Sequence, residues 1–269
     1  MMKEMSPIAG KIEEIRGQLP DIESLPDKDP DAHCDICDGY GHIIDENGAR
    51  PCICVRREVF YNELEDARIP ERYRKESFDT FEARTPSLRA CLSFARDYVK
   101  NYSMDCSKGL YIHGSTGTGK THLTIGIVKG LIARGYDCAF YNVVDLLDQI
   151  RSTFDPQGSS DPKARLLQDF QRQVFVLDDF GMQKTSSWVS DRLYALINRR
   201  YQDCKTIIIT SNISLNDLVL RVDNALSSRI IDMCEEIEIK AEDYRRLRTM
   251  KTHNTAPRRR KFPPRNPEE

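Results

Sequence analysis

The stretch Gly114-Ser-Thr-Gly-Thr-Gly-Lys120-Thr121 has residue types and a spacing suited to binding phosphates, since it fits the pattern G-x-x-x-x-G-K-[ST]. Glycines let the backbone curl around an anion, and the amides that open the following helix point N–H dipoles at it. Lys120 would add a full charge between the β- and γ-phosphates, and the Thr121 hydroxyl would ligate Mg²⁺. An ordinary glycine-rich turn is the alternative, but an apolar strand before the loop and a helix after it favour a nucleoside triphosphate site. The expected nucleotide contacts are Gly114, Ser115, Thr116, Gly117, Thr118, Gly119, Lys120, Thr121 and His122.

A second feature of such a site is the apolar run Val174-Phe-Val-Leu, which is followed directly by Asp178 and Asp179. A buried strand delivers carboxylates at the C-terminal edge of a parallel sheet, where ligands collect. We expect Asp178 to hold Mg²⁺ and Asp179 to orient or deprotonate the attacking water. The pattern is common by itself and becomes informative through its position after the glycine-rich loop.

Three polar residues follow later strands and extend the candidate site. Asn212 would reach the γ-phosphate or the attacking water, and the alternative is a cap for the helix that starts near Leu215. Arg229 lies on a short helix, from which an arginine can stabilise charge at a neighbouring subunit's γ-phosphate, and the alternative is a surface salt bridge. Arg245 is a weaker candidate for a phosphate contact within the same chain.

Cysteines are concentrated in the pairs Cys34-x-x-Cys37 and Cys52-x-Cys54, which a glycine-rich turn and a short hairpin separate. This arrangement is typical of a structural Zn²⁺ site, in which four thiolates leave no open position for catalysis. The alternative is a set of free surface thiols. His33 and His42 are possible substitute ligands.

Length and composition set the wider limits. The 269 residues are enough for one α/β domain and a smaller module. Neither a membrane-spanning run nor a signal peptide is present in the sequence, so we expect a cytoplasmic protein with no membrane contact. The region 245–265 carries only basic charges among Pro-rich sequence, which favours a disordered tail or a contact with nucleic acid.

Alternating apolar strands and amphipathic helices predict a parallel sheet covered on both faces. We expect a helix over Val55–Glu71, an extended segment over Arg72–Phe81 and a polar loop over Pro156–Pro162. In the helix Trp188–Tyr201, Arg199 and Arg200 would face outward and touch DNA phosphates. The predicted sheet strands are Gly109–His113, Cys138–Asn142, Gln173–Asp179, Thr206–Asn212 and Cys234–Lys240. The predicted domains are 1–33 (a helix and acidic linker), 34–75 (zinc module and connecting helix), 76–248 (ATPase) and 249–269 (tail).

The combination of motifs resembles the DnaC/DnaI/IstB group of AAA+ ATPases over about Cys34 to Arg248. The resemblance is carried by the glycine-rich loop, by Val-Leu-Asp-Asp-Phe-Gly, and by Ile-Asn-Arg-Arg-Tyr, Ile-Ile-Thr-Ser-Asn, Ser-Ser-Arg-Ile and Asp-Tyr-Arg. The cysteine module and Ala67-Arg-Ile-Pro-Glu-Arg-Tyr look like DnaI-type helicase loaders. One departure is Asp179, where many AAA+ enzymes have glutamate, and the shorter side chain suits a slow switch.

This resemblance implies an AAA+ P-loop fold, a three-layer α/β/α arrangement with a five-stranded parallel sheet in the order 5-1-4-3-2. It implies Asn212 as sensor 1, Arg229 as the arginine finger and Arg245 as a sensor-2-like arginine. It also implies ATP, Mg²⁺ and Zn²⁺ as cofactors, slow ATP hydrolysis, and self-association through the ATP interface. The implied partners are the replicative hexameric helicase and single-stranded DNA.

Other functions stay open at this point. A transposition helper of the IstB type would share the core and act with a transposase on duplex DNA. A small-molecule kinase would use the same glycine-rich loop, although Asn212 and Arg229 fit a shared intersubunit site better. A zinc-stabilised interaction module could bind ATP without turnover.

Overall fold

The computed structural model describes residues 42–45, 48–51, 53–104, 108–153, 160–181 and 186–246, with side chains described from Val59 onward except at 160–162. The helices are α1 (Ile53–Asp66), α2 (Pro86–Asn101), α3 (Lys120–Ala133), α4 (Val143–Ser152), α5 (Ser160–Asp169), α6 (Ser187–Gln202), α7 (Leu215–Val219) and α8 (Asn224–Met233). The strands are β1 (His42–Asp45), β2 (Gly48–Pro51), β3 (Gly109–His113), β4 (Cys138–Asn142), β5 (Val174–Phe180), β6 (Thr206–Ser211) and β7 (Cys234–Glu238).

Five strands form one parallel sheet in the order β4-β5-β6-β3-β7. With the sheet strands numbered in chain order, this is the predicted order 5-1-4-3-2 read from the other edge, so the predicted topology is confirmed. All five carboxyl ends point the same way, which gathers the residues that follow β3, β5 and β6 at one edge of the sheet.

Successive side chains of each strand pack on opposite faces, which gives two hydrophobic layers. Leu110 and Ile112 of β3 join the layer beneath α2 and α3, whereas Tyr111 joins the layer beneath α4, α6, α7 and α8. The resulting three-layer α/β/α core holds the loops at the sheet edge in fixed positions.

The connecting helix α1 ends earlier than predicted, at Asp66 instead of Glu71. Arg68 has φ 59°, a left-handed conformation that stops the helix, and the chain then forms a 3₁₀ turn over Glu71–Tyr73. The segment Arg72–Phe81 is therefore not fully extended. The end of α1 belongs to the core of the ATPase domain, because the Ala67 carbonyl accepts the Phe140 N–H of edge strand β4 at 2.8 Å.

The polar loop predicted over Pro156–Pro162 is also wrong in part, since α5 begins at Ser160. Pro162 lies in the first turn of this helix, where a missing N–H leaves no hydrogen bond broken. Asp169 at the end of α5 is 2% exposed and pairs with Arg68 Nε at 2.5 Å and Arg172 Nε at 3.0 Å. Asp169 also accepts the hydroxyl of Tyr141 in β4 at 2.7 Å, so it connects the segment that follows α1 to the sheet.

The antiparallel hairpin β1–β2 pairs His42 with Pro51 and agrees with the short hairpin expected between the two cysteine pairs. Cys34, Cys37 and Cys52 and the side chain of Cys54 lie outside the described residues, so the zinc prediction is not tested. Among the residues that the structure describes, no helix is both long and apolar enough to cross a membrane.

Candidate nucleotide-binding site

The glycine-rich loop turns sharply between β3 and α3 and needs glycine at two central positions. Gly117 and Gly119 have φ of 78° and 99°, in the left-handed region that side chains disfavour. A Cβ atom on Gly117 would lie 2.0 Å from Asp243 Oδ1, and one on Gly119 would lie 3.0 Å from Phe81. The loop is thereby shaped for close backbone approach, and α3 starts directly behind it at Lys120.

Lys120 is 6% exposed and its ammonium donates three hydrogen bonds. The acceptors are the Gly114 and Ser115 carbonyls at 2.9 and 2.8 Å and Asn212 Oδ1 at 2.6 Å. Burial lowers the pKa of Lys120, against the opposing effect of Asp179 and Asp178, and the charge of Arg245 lowers this pKa further. A buried cation with neutral partners is well suited to receive an anion.

Thr121 and Asp178, the two residues expected to hold Mg²⁺, meet beside Lys120. The Thr121 hydroxyl donates to Asp178 Oδ1 at 2.9 Å, and Thr210 of the neighbouring strand donates to the same oxygen at 2.7 Å. Burial raises the pKa of the Asp178 carboxyl, while the Thr210 and Thr121 hydrogen bonds oppose that rise. An adjacent hydroxyl and carboxylate oxygen form the hard donor set that Mg²⁺ prefers.

Asn212 does not cap the helix that follows it. The N-cap of α7 is Ser214, whose hydroxyl accepts the Asp217 N–H at 3.2 Å, so the capping interpretation of Asn212 is wrong. Instead the amide oxygen of Asn212 contacts Lys120. The loop behind it is held by Tyr111, whose hydroxyl donates to the Ile213 carbonyl at 2.9 Å.

The segment around Tyr244 packs against the glycine-rich loop, and the lead-in segment before α2 packs against His122 at the start of α3. The Tyr244 N–H donates to the Gly117 carbonyl at 3.0 Å, and the Tyr244 hydroxyl donates to Glu82 Oε1 at 2.6 Å. On the other side, the His122 ring pairs with Glu76 Oε2 at 2.6 Å, so its side chain contacts the lead-in to the ATPase core and not the loop. The motif Asp-Tyr-Arg was the only sequence signal for the Tyr244 contact.

Arg229 is half-buried and lies apart from this cluster. Its Nε donates to Asn198 Oδ1 at 2.8 Å, and its guanidinium lies over the rings of Tyr194 and Tyr201. It borders an open depression that shares no lining residue with the glycine-rich loop. Arg229 therefore lies at the surface, away from the nucleotide-binding loop of its own chain.

The two arginines of α6 differ in environment, which corrects one prediction. Arg199 is exposed and pairs with Asp203 at 2.7 Å. Arg200 is 1% exposed and donates to the carbonyls of Phe170, Arg172, Gln173 and Thr206 at 2.6–3.1 Å. Burial lowers the pKa of Arg200 to about 10. Arg200 does not face outward and cannot contact DNA phosphates.

Within the described ranges, no group of three or more His, Cys, Asp or Glu residues is placed to hold a metal ion by itself. This result does not bear on the cysteine module. It also does not conflict with the Thr121–Asp178 pair, because a nucleotide-bound Mg²⁺ keeps phosphate and water among its ligands.

The sheet order, the glycine-rich loop and the acid pair define the class of AAA+ P-loop ATP-binding domains. The chain belongs to the family of IstB-like ATP-binding proteins, whose model matches residues 44–252. The resemblance drawn from the motifs is thereby confirmed, and family membership implies ATPase activity in general. It favours this class over a small-molecule kinase.

Similarity to individual proteins points in more than one direction. The phage-like element PBSX protein XkdC of Bacillus subtilis (strain 168) is 25% identical over 248 residues, 85% of this chain and 91% of that protein. An insertion sequence IS5376 putative ATP-binding protein of Geobacillus stearothermophilus is 32% identical over 147 residues, 53% of this chain and 57% of that protein. A crystal structure of the DnaC helicase loader superposes with a TM-score of 0.58 and 30% identity, covering 63% of this chain and 99% of that one.

Proposed function

We propose that this protein is an ATP-switched loader that binds a replicative hexameric helicase and single-stranded DNA. The observation that carries the switch is the hydrogen bond between Lys120 Nζ and Asn212 Oδ1. It joins the glycine-rich loop to the end of a different strand, and a bound phosphate would compete for the same ammonium. Nucleotide binding would therefore alter the contact between the two elements.

The residues present fit a magnesium nucleotide. The loop Gly114–Gly119 supplies a backbone cradle in which a Cβ at Gly117 would collide with Asp243, and Lys120 supplies a buried cation. Thr121 and Asp178 would hold Mg²⁺, which would withdraw charge from the phosphates when bound. Arg245 would complete the charge around the phosphates within the same chain.

The protein's own groups would then divide the work of hydrolysis. The exposed Asp179 would orient or accept a proton from water, and Asn212 would hold that water or a γ-phosphate oxygen. Arg229 would neutralise developing charge at the site of a neighbouring copy, so turnover would depend on self-association. The shorter acid Asp179 favours slow hydrolysis, as a switch requires.

Support for the loader assignment comes from the match to the DnaC helicase loader, because it covers nearly the whole of that chain. In this proposal the N-terminal segment and the cysteine module bind the helicase. Zn²⁺ in that module would be held by Cys34, Cys37, Cys52 and Cys54. Single-stranded DNA would bind the ATPase domain, to which Arg199 would contribute an exposed charge.

A second candidate function is that of a transposition helper acting with a transposase. It is favoured by the similarity to the insertion-sequence protein, which is 32% identical over the matched region. The two candidates share the ATP site and differ in their protein partner and in the form of DNA they bind.

Binding measurements with purified components separate the two. The full chain is mixed with the replicative helicase of its own source, or with a transposase encoded beside it, and complex mass is measured by light scattering with ATP or ADP. The loader assignment predicts a complex with the helicase whose stability depends on the nucleotide. Lys120→Ala should remove that dependence, whereas Lys129→Met, which removes another buried lysine of α3, should keep it. A stable complex with the transposase alone would favour the second function.

A further inference from the structure

The two acids of β5 stand opposite a single residue of β6. Leu177 pairs with Ile209 and Phe180 pairs with Ser211, so Asp178 and Asp179 share one position in the register. This is a β-bulge, and the residue left facing both acids is Thr210. Bulges beside active sites redirect side chains, so whatever fixes this bulge also fixes the direction of the carboxylates.

The Thr210 hydroxyl occupies the centre of the bulge. The side chain is fully buried, and its Oγ1 donates to Asp178 Oδ1 at 2.7 Å while accepting the Asp179 N–H at 3.0 Å. One hydroxyl thus uses its proton for one acid and a lone pair for the backbone of the next. The bulge interrupts the regular pairing at Asp179, and Thr210 supplies an acceptor for this N–H.

The backbone at Asp179 shows why such a contact is needed. Its φ is 59°, a left-handed conformation that a residue with a side chain adopts only when its surroundings hold it there. In this conformation Asp179 is exposed at the sheet edge, whereas Asp178 is 2% exposed and faces Thr121. The two neighbouring acids therefore have different surroundings, Asp178 beside Thr121 and Asp179 at the exposed edge of the sheet, as their different proposed roles require.

We infer that Thr210 is the positioning residue of this site, and that its hydroxyl is required for the magnesium dependence of nucleotide binding and for turnover. The inference rests on the magnesium role proposed for Asp178 and is independent of the helicase. Thr210 would act through these contacts, by holding Asp178 toward Thr121 and Asp179 in its left-handed conformation.

The test compares Thr210→Val, which keeps shape and removes the hydroxyl, with a control on the same strand. Thr206 is also buried, and its Oγ1 accepts from the Tyr102 hydroxyl at 2.7 Å near the opposite end of β6. Thr206→Val therefore removes a buried hydroxyl without touching the acids. Affinity for a non-hydrolysable ATP analogue is measured with Mg²⁺ and with a chelator, and the rate of ATP hydrolysis is measured beside it.

We expect Mg²⁺ to strengthen binding of the analogue to the wild-type protein. In Thr210→Val this gain should fall about tenfold or more, the usual effect of losing a hydrogen bond to a charged group, with affinity in chelator unchanged. Turnover should fall by a similar factor. Thr206→Val should match the wild type both in the gain of affinity from Mg²⁺ and in turnover. Thr210→Ser, which keeps the hydroxyl, should recover most of the gain of affinity from Mg²⁺.

The possible outcomes separate the positioning role of Thr210 from the magnesium role of Asp178 on which it rests. If Mg²⁺ strengthens binding equally in the wild type and in Thr210→Val, the positioning role is refuted while the magnesium site stands. If Mg²⁺ has no effect on the wild type, the magnesium role of Asp178 fails and the inference fails with it. Thr210→Ala removes the same hydroxyl without placing a methyl group against Asp178, and it decides the question if the valine variant does not fold.

Discussion

Removing the Asn212 amide should strengthen ADP binding, although Asn212 belongs to the proposed catalytic site. In the structure the Lys120 ammonium has all its donors engaged, by the carbonyls of Gly114 and Ser115 and by Asn212 Oδ1 at 2.6 Å. A phosphate must displace at least one of these acceptors. Asn212→Ala removes the acceptor that directly follows strand β6, so the nucleotide-free protein loses a contact that competes with the ligand.

The size of the effect follows from the kind of hydrogen bond. A bond to a charged group contributes about 1.5–3 kcal/mol net. Asn212 is half-buried, so water would restore part of the lost interaction, and about 1 kcal/mol should remain. This corresponds to roughly fivefold tighter binding of ADP. ATP should gain less, because the contact from Asn212 to the γ-phosphate is lost, and hydrolysis should fall on the order of 100-fold.

Isothermal titration calorimetry with ADP and a non-hydrolysable ATP analogue measures both affinities, and phosphate release measures turnover. The matched control is Asn142→Ala, since Asn142 also lies at the carboxyl end of a sheet strand but caps α4 through the Val144 N–H at 3.0 Å. This control should leave ADP affinity unchanged. Unchanged or weaker ADP binding to Asn212→Ala would refute the idea that Asn212 restrains Lys120.

Three further predictions concern residues outside this pair. Arg200→Met should lower the free energy of unfolding by about 3 kcal/mol, because it leaves buried carbonyls unpaired. Arg199→Met should change it by less than about 0.5 kcal/mol. Urea unfolding followed by circular dichroism measures both, and equal effects would contradict the burial of Arg200. Arg229→Ala should leave nucleotide affinity unchanged and remove the rise of specific hydrolysis with protein concentration, and a rate per protomer equal to the wild type would exclude the intersubunit role. Gly117→Ala should weaken nucleotide binding at least tenfold, because φ is 78° and the new Cβ would meet Asp243 at 2.0 Å. Fluorescence titration with a labelled nucleotide measures the affinity, and a wild-type affinity would contradict this reasoning.

Much of the sheet could be predicted because its strands are short apolar runs that end in polar residues. The strands Gly109–His113 and Cys138–Asn142 have the predicted bounds, and the other three differ by one or two residues at one or both ends. The loop from Gly114 to Thr121 can be recognised from the local spacing of its residues, without knowledge of distant contacts. The same is true of Asp178, whose place on the sheet follows from the strand before it.

Features that depend on distant contacts could not be predicted in this way. Arg200 follows Arg199 directly, and nothing in the local sequence indicates that only Arg200 is buried and bonded to backbone carbonyls. Those carbonyls belong to residues 170, 172, 173 and 206. The early end of α1 depends on Arg68, which adopts a left-handed conformation and pairs with Asp169, about 100 residues further along the chain. The role of Thr210 likewise depends on the register of β5 against β6, which sequence periodicity does not fix.

The most direct measurement of the central proposal is helicase loading itself. The replicative helicase of the same source is given single-stranded DNA circles covered with single-strand-binding protein, and unwinding of an annealed strand is followed by fluorescence with and without this protein and ATP. We expect unwinding that requires the protein and is lost with Lys120→Ala. If the helicase binds the protein but unwinding is not stimulated at any ratio of the two, the loader assignment is contradicted.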